Sequence, residues 1–257
     1  MARTATRVLM AVALAASVSF GRVEAQGHGD ASPHWSFAGA DGPAHWGELS
    51  PAFALCGTGR SQSPIDISRP VPKHVGALTF HYRPGRLNIV NNGHAIQVNY
   101  DPGSYIELNG TRYDLQQFHF HAPSEHEIDG RRAAAELHLV NQSADGRLAV
   151  VGVLIDTGAG NPAFAPILDH LPAMPGPVRR FDTRISAAGL LPATRTTYRY
   201  RGSLTTPPCT EGVQWIVMTT PVTMSAAQLA ALTRLYPDNS RPLQPLHGRV
   251  VVEDRPR

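Results

Sequence analysis

Two short segments hold the residues best suited to chemistry. In Gln116-Gln117-Phe118-His119-Phe120-His121 the histidines stand two apart. Alternate side chains of an extended strand share a face, so Gln117, His119 and His121 point one way and the phenylalanines the other. Two imidazoles at that spacing can grip one metal ion, although a lone pair of this kind also occurs on strands that bind nothing. A second segment, Ala135-Glu136-Leu137-His138-Leu139-Val140, repeats the alternation with Glu136, His138 and Val140 on one face and the leucines on the other. Three neutral imidazoles suit zinc and leave a fourth position open, the arrangement of a catalytic rather than a structural site. Neither Cys56 nor Cys209 is needed as a ligand.

The elements that must position these residues read mostly as short strands, over residues 78–82, 86–90, 95–100, 105–108, 111–115, 116–121, 135–141, 148–156 and 213–219. Asn109-Gly110 between two of them is a strong hairpin signal. Two helices are well marked. Asn161-Pro162 reads as an N-cap with proline at the first helical position, followed by an apolar face of Phe164, Ile167, Leu168 and Leu171. Ser225 and Gln228 form a capping box ahead of Leu229, Leu232 and Leu235. The expected fold is mainly β with peripheral short helices. With 22 prolines and 23 glycines, much of the connection is irregular.

At the N-terminus Arg3 and Arg7 precede an apolar run over residues 8–20, and Val23-Glu24-Ala25 fits a small-x-small cleavage site. That is the layout of a secretory signal peptide over residues 1–25, and the run is short and alanine-rich for a membrane span. It predicts a periplasmic or secreted protein, free of the membrane after cleavage, with one domain over residues 26–257. Residues 26–33 and 253–257 read as mobile ends. Setting aside Arg3, Arg7, Arg22 and Glu24 turns 23 basic and 20 acidic residues into 20 and 19. So balanced a chain, with no basic block, argues against a nucleic-acid partner. In an oxidising compartment Cys56 and Cys209 are expected to pair.

His119-x-His121-x-x-x-Glu125 also fits the first motif of the cupin barrels, but the surroundings of His138 and Asn141 do not supply the second. Copper–zinc superoxide dismutase is another exported, disulfide-bridged strand protein; it needs more histidines and a metal-bridging Asp that the chain does not offer. A longer series of motifs resembles the alpha class of carbonic anhydrases. It runs through Ser61-Gln62-Ser63-Pro64-Ile65-Asp66-Ile67, Asn91-Asn92-Gly93-His94, Gln117-Phe118-His119-Phe120-His121 and Ser124-Glu125-His126. It continues with Ala134-Ala135-Glu136-Leu137-His138-Leu139-Val140 and ends with Gly202-Ser203-Leu204-Thr205-Thr206-Pro207-Pro208 and Gln214-Trp215. The resemblance covers about residues 35–251.

That resemblance implies a large, twisted, mostly antiparallel central sheet with short helices outside, and a zinc enzyme that reversibly hydrates carbon dioxide to bicarbonate and a proton. His119, His121 and His138 would be the zinc ligands, with Gln117 and Glu136 holding His119 and His138 in the right tautomer. Thr205 would orient the zinc-bound hydroxide and donate to Glu125. His94 would shuttle protons between the metal and buffer, with Asn92 and Gln97 ordering water between them. Val140, Val150, Leu204, Thr206, Val213 and Trp215 would line the substrate pocket. The Cys56–Cys209 pair matches the bridge of exported members. Sulfonamides and anions are the expected inhibitors, and the bacterial resemblance leaves room for a homodimer. Phe37 stands where a Tyr is usual, which removes a hydroxyl from the water network, and Gln97 replaces the commoner Asn. His126 is expected to be structural, near Glu136 and Tyr200. The opposing reading is a binding or adhesion module of the same fold that has lost its ligands; the presence of all three histidines, Thr205 and Glu125 weighs against it.

Overall fold

The alternating segments assemble into one thirteen-stranded sheet. The computed structural model describes residues 33–254, so the segment over residues 1–25 that reads as a signal peptide lies outside the described residues. In spatial order the main path is Arg179–Ile185, Gly85–Asn91, Ile96–Asn99, Thr111–His121, Ala135–Gln142, Leu148–Thr157, Glu211–Met218, Thr197–Ser203, Val252–Asp254 and Val71–Pro72. Leu148–Thr157 runs parallel to Glu211–Met218 and to Val222–Met224, and Val252–Asp254 runs parallel to Val71–Pro72; the other pairings of this sheet are antiparallel. The expected mainly β, mostly antiparallel architecture is therefore present. No helix among the described residues is long and apolar enough to cross a membrane.

The residues read as two segments, 111–115 and 116–121, form a single strand, Thr111–His121. Its pairing with Ala135–Gln142 explains why the sequence reads as two. Val140 lies opposite Gln117 but Asn141 lies opposite Leu115, so Gln116 is an extra residue, a β-bulge. On both sides of it the apolar residues face one core: Tyr113 and Leu115 before, Phe118 and Phe120 after. The bulge shifts the alternation by one place, so the odd-numbered His119 and His121 face away from that core although Tyr113 and Leu115 face into it.

Leu137 and Leu139, fully buried, join Phe118, Phe120, Val151 and Val153 in this main core. Each such side chain contributes about 1.5–3 kcal/mol by leaving water. A smaller cluster holds Val150, Val213, Trp215, Val217, Ile65 and Ile67, with Val140 and Leu204 packed against it. The leucine face of Ala135–Gln142 thus anchors the strand, while the face of Glu136 and His138 serves the site.

Helices are few and short. Ser225 and Gln228 make the expected capping box at the head of Ala226–Thr233. The other helix differs from its expected form. Asn161 does cap it, accepting from the Ala163 N–H, but a 3-10 turn, Pro162–Phe164, gives way to one α-turn, Ala165–Leu168. Pro166 has no N–H to donate to the Pro162 carbonyl, so a continuous α-helix cannot run through it. Arg179–Ile185 and Thr197–Ser203 are the longest of the strands without a counterpart in the sequence reading; shorter ones include Val222–Met224 and Val252–Asp254, the latter reaching into the end that reads as mobile. Arg179–Ile185 is an edge strand rich in arginine, whose charges suit an exposed edge and hide its pattern.

Candidate metal centre

Sheet register brings the three histidines together. His119 lies directly opposite His138, and His121 stands two residues further along the same face. One ring nitrogen from each of His119, His121 and His138 lies within 4.8 Å of the other two. His121 and His138 are buried, and His119 is half-buried at the cleft wall. Gly152 sits across the next strand from His138. A Cβ there would stand 2.9 Å from Glu136 Oε1, so glycine leaves room for that carboxylate.

Each ring has a polar anchor. His119 Nδ1–H donates to Gln117 Oε1 at 2.8 Å, and His121 Nδ1–H donates to the Asn239 carbonyl at 2.6 Å. His138 Nε2 lies 3.0 Å from Glu136 Oε1, off the line of a straight hydrogen bond. These anchors leave Nε2 of His119 and His121 and Nδ1 of His138 as the free lone pairs. Burial holds all three imidazoles below their ordinary pKa, His121 down to about 4, with neighbouring rings adding to the effect at His119. They are neutral donors at neutral pH. Burial alone would raise Glu136, but His126 and His138 hold it well below the usual carboxylate range. Its Oε2 accepts the N–H groups of Glu125 and His126, and its Oε1 accepts from His126 Nδ1 at 2.8 Å. His126, Glu136 and His138 also lie close enough to hold an ion; the hydrogen bonds on Glu136 make that group a support network instead. His126 reaches the Tyr200 hydroxyl with Nε2, the structural role expected of it.

The donor set fits zinc. Both cysteines are engaged in the Cys56–Cys209 disulfide, leaving a three-imidazole set. His121 Nε2, buried, has no hydrogen-bond partner, as a ligand atom reserved for a metal should not. Glu125 Oε2 is equally unpartnered, 3.6 Å from His121 Nε2 and 3.8 Å from His138 Nδ1. It does not join the group of three. Its other oxygen accepts the Arg241 N–H at 2.8 Å. Burial pushes Glu125 up to about 6, against the opposing influence of His138, Arg241 and the Thr205 hydroxyl.

A cleft of about 120 Å³ reaches the ligands, lined among others by Trp35, His94, Gln97, His119, His121 and Thr206. His94 stacks on Trp35 at its wall, and burial together with His34 lowers its pKa. Asn92 and Gln97 line the same cleft and are bonded to each other at 3.3 Å. Phe37 presents its ring edge toward His121 with centroids 6.5 Å apart. On the other side of the ligands Trp215 packs edge-on to His138, centroids 4.8 Å apart, in the cluster that holds Val150 and Val213 and against which Val140 and Leu204 pack. Thr205 and Thr206 sit on a closed loop: the Leu204 N–H donates to the Thr210 carbonyl and the Cys209 N–H to the Thr206 carbonyl. The disulfide ties this loop to Cys56, 153 residues away in sequence.

Sequence reasoning missed two supports of the site. The Asn239 carbonyl leaves no trace, because every residue has one. Arg241 is buried with its guanidinium bonded to Gln62 Oε1 and to the carbonyls of Ser63 and Cys56; its polar neighbours in sequence, Asp238, Asn239 and Ser240, give no hint of burial.

Comparison with known proteins agrees with this geometry. Residues 41–255 match the eukaryotic-type carbonic anhydrase family. A carbonic anhydrase of a Nostoc species is 46% identical over 226 residues, 86% of each chain. One from Neisseria gonorrhoeae is 42% identical over 247 residues, covering 95% of this chain and 96% of its own. The solved alpha-carbonic anhydrase of Thermovibrio ammonificans, in complex with the inhibitor sulfanilamide, matches with a TM-score of 0.84 at 43% identity, covering 86% of this chain and 99% of that one.

Proposed function

This chain belongs to the alpha-class, eukaryotic-type carbonic anhydrases and catalyses the reversible hydration of carbon dioxide, and we propose that His119, His121 and His138 hold its zinc ion while Glu125, Thr205 and His94 complete the machinery. The observation that carries the assignment is the convergence of three neutral ring nitrogens within 4.8 Å. When bound, zinc supplies Lewis-acid activation of water at neutral pH.

The protein's own residues do the rest. Gln117, Asn239 and Glu136 fix the three rings, so the ligand lone pairs are aimed before any metal arrives. Glu125 accepts from the Thr205 hydroxyl, which turns that hydroxyl's own lone pair toward the substrate and selects its orientation. The Val140, Val150, Leu204, Val213 and Trp215 wall excludes water from one side and offers an apolar bed to an apolar substrate; Thr206 borders the opening. His94, with a pKa somewhat below that of a free histidine, takes the released proton and passes it to buffer.

Sulfonamides and small anions would compete for the same position above the ligands; the Thermovibrio enzyme is known in complex with the inhibitor sulfanilamide. The disulfide suits a compartment outside the cytoplasm, and export by way of a signal peptide over residues 1–25 would deliver the chain there. The test is stopped-flow hydration of carbon dioxide by zinc-loaded protein, together with His119→Ala. Loss of both zinc and rate is expected; full zinc occupancy in that variant would overturn the ligand set.

A further inference from the structure

We propose that Asn239 is a positioning residue that ties the shuttle loop at His94 to the zinc-ligand strand, so that one buried amide sets both ends of the proton path. The proposal rests on the reading of His94 as the shuttle.

Asn239 is 1% exposed and every polar group it carries is engaged. Its backbone carbonyl accepts from His121 Nδ1 at 2.6 Å, and its N–H donates to the Ala122 carbonyl at 3.2 Å. The side-chain Oδ1 accepts the Ala122 N–H at 2.8 Å. The side-chain Nδ2 donates twice, to the Phe120 carbonyl and to the His94 carbonyl, both at 3.0 Å. One acceptor and two donors on a short side chain are what an asparagine alone provides; aspartate lacks the donors and leucine lacks all three.

The contacts clamp both sides of His121 and reach across to the turn that carries His94. That turn is otherwise exposed on one side. The His94 peptide is held from its other side by Asn92 Oδ1, which accepts the His94 N–H at 2.9 Å. The segment makes a second tie to the same turn through the Tyr236 hydroxyl, which donates to Asn91 Oδ1. Asn239 thus adds a direct side-chain tie between the His94 turn and the residues flanking His121, beyond the strand pairing that sets Gln97 opposite His119. Proton transfer through ordered water is steep in distance and angle, so a displaced turn costs rate where the shuttle limits turnover.

The experiment compares Asn239→Ala in zinc-loaded wild-type and His94→Ala backgrounds. In dilute buffer kcat should fall about tenfold beyond any fall in kcat/KM, and added imidazole should restore that excess. In the His94→Ala background the excess should vanish. Zinc release to a chelator, read as metal content, should also be faster, because the same amide clamps the neighbours of His121. Parallel losses of kcat and kcat/KM, equal in both backgrounds and untouched by imidazole, would reduce Asn239 to a structural residue and overturn the proposal. If Asn239→Ala does not fold, Asn239→Asp keeps the size and the acceptor toward Ala122, lacks both donors, and carries the same readouts. Unchanged turnover in His94→Ala alone would instead fail the shuttle reading, and the zinc-release arm would then decide the clamp on His121.

Discussion

The imidazole of His94 lies flat on the indole of Trp35, with centroids 3.7 Å apart and planes 7° from parallel. The stack contributes about 1 kcal/mol and shields one face of the ring from water. Burial is the main reason that His94 titrates below its ordinary value, with His34 adding to it. Trp35→Ala should therefore raise the His94 pKa toward that of a free histidine. Proton NMR titration of the His94 ring in the two proteins measures this; an unmoved or lowered midpoint would mean that the shielding comes from elsewhere in the cleft.

Gln117 touches the metal site only through the His119 Nδ1–H. Removing its amide in Gln117→Ala frees the ring to rotate and to change tautomer. Zinc affinity should drop by about 10- to 100-fold, measured by competition with a chromogenic chelator. Equal affinity in both proteins would show that the strand alone fixes His119.

The metal-free protein should be acid-labile. His119, His121 and His138 all titrate below their unfolded value of about 6.5. The unfolded chain therefore binds more protons than the folded one once the pH drops under that value. Stability is whole above it and is lost progressively down to about 4 for His121, which alone accounts for roughly 3 kcal/mol. Glu125, raised to about 6, works in the opposite sense between that pH and 4.5, but it is one carboxyl against three imidazoles. Urea denaturation of the metal-free protein at pH 7.5 and pH 5 provides the check, with a clear drop at the lower pH expected.

The disulfide closes a loop of 153 residues, so replacing it with Cys56→Ser and Cys209→Ser should cost about 2–5 kcal/mol. The same change unties the loop that carries Thr205 and Thr206. Guanidinium melts give the first effect. A change of less than 1 kcal/mol would mean that the packing of Trp46, Phe53 and Trp35 around the bridge holds the loop without it.

Much of this was legible because the site sits on strands with strict alternation. His119, His121 and His138 declare their common side through the phenylalanines and leucines between them, and Ser225 and Gln228 declare a cap by spacing alone. What the sequence withheld depends on contacts without a side-chain signature. The Asn239 carbonyl under His121 is main chain. Arg241 satisfies its charge with carbonyl oxygens from segments some 180 positions away. Arg179–Ile185 hides its pairing under charges that protect an edge.

The supernumerary residue at Gln116 separates two problems that an unbroken strand would couple. Ahead of it, the hairpin at Asn109-Gly110 sets which side chains of residues 111–115 enter the interior; beyond it, the order is reversed. A straight strand that kept all eleven residues would force a choice between presenting phenylalanines to the cleft and losing the hairpin's own anchors, Tyr113 and Leu115; the bulge removes that choice by setting one residue outside the count. The chelating geometry is thus a matter of counting as much as of chemistry: one residue inserted between Gln117 and His119, with no second bulge to absorb it, would turn both imidazoles into the core without touching a histidine.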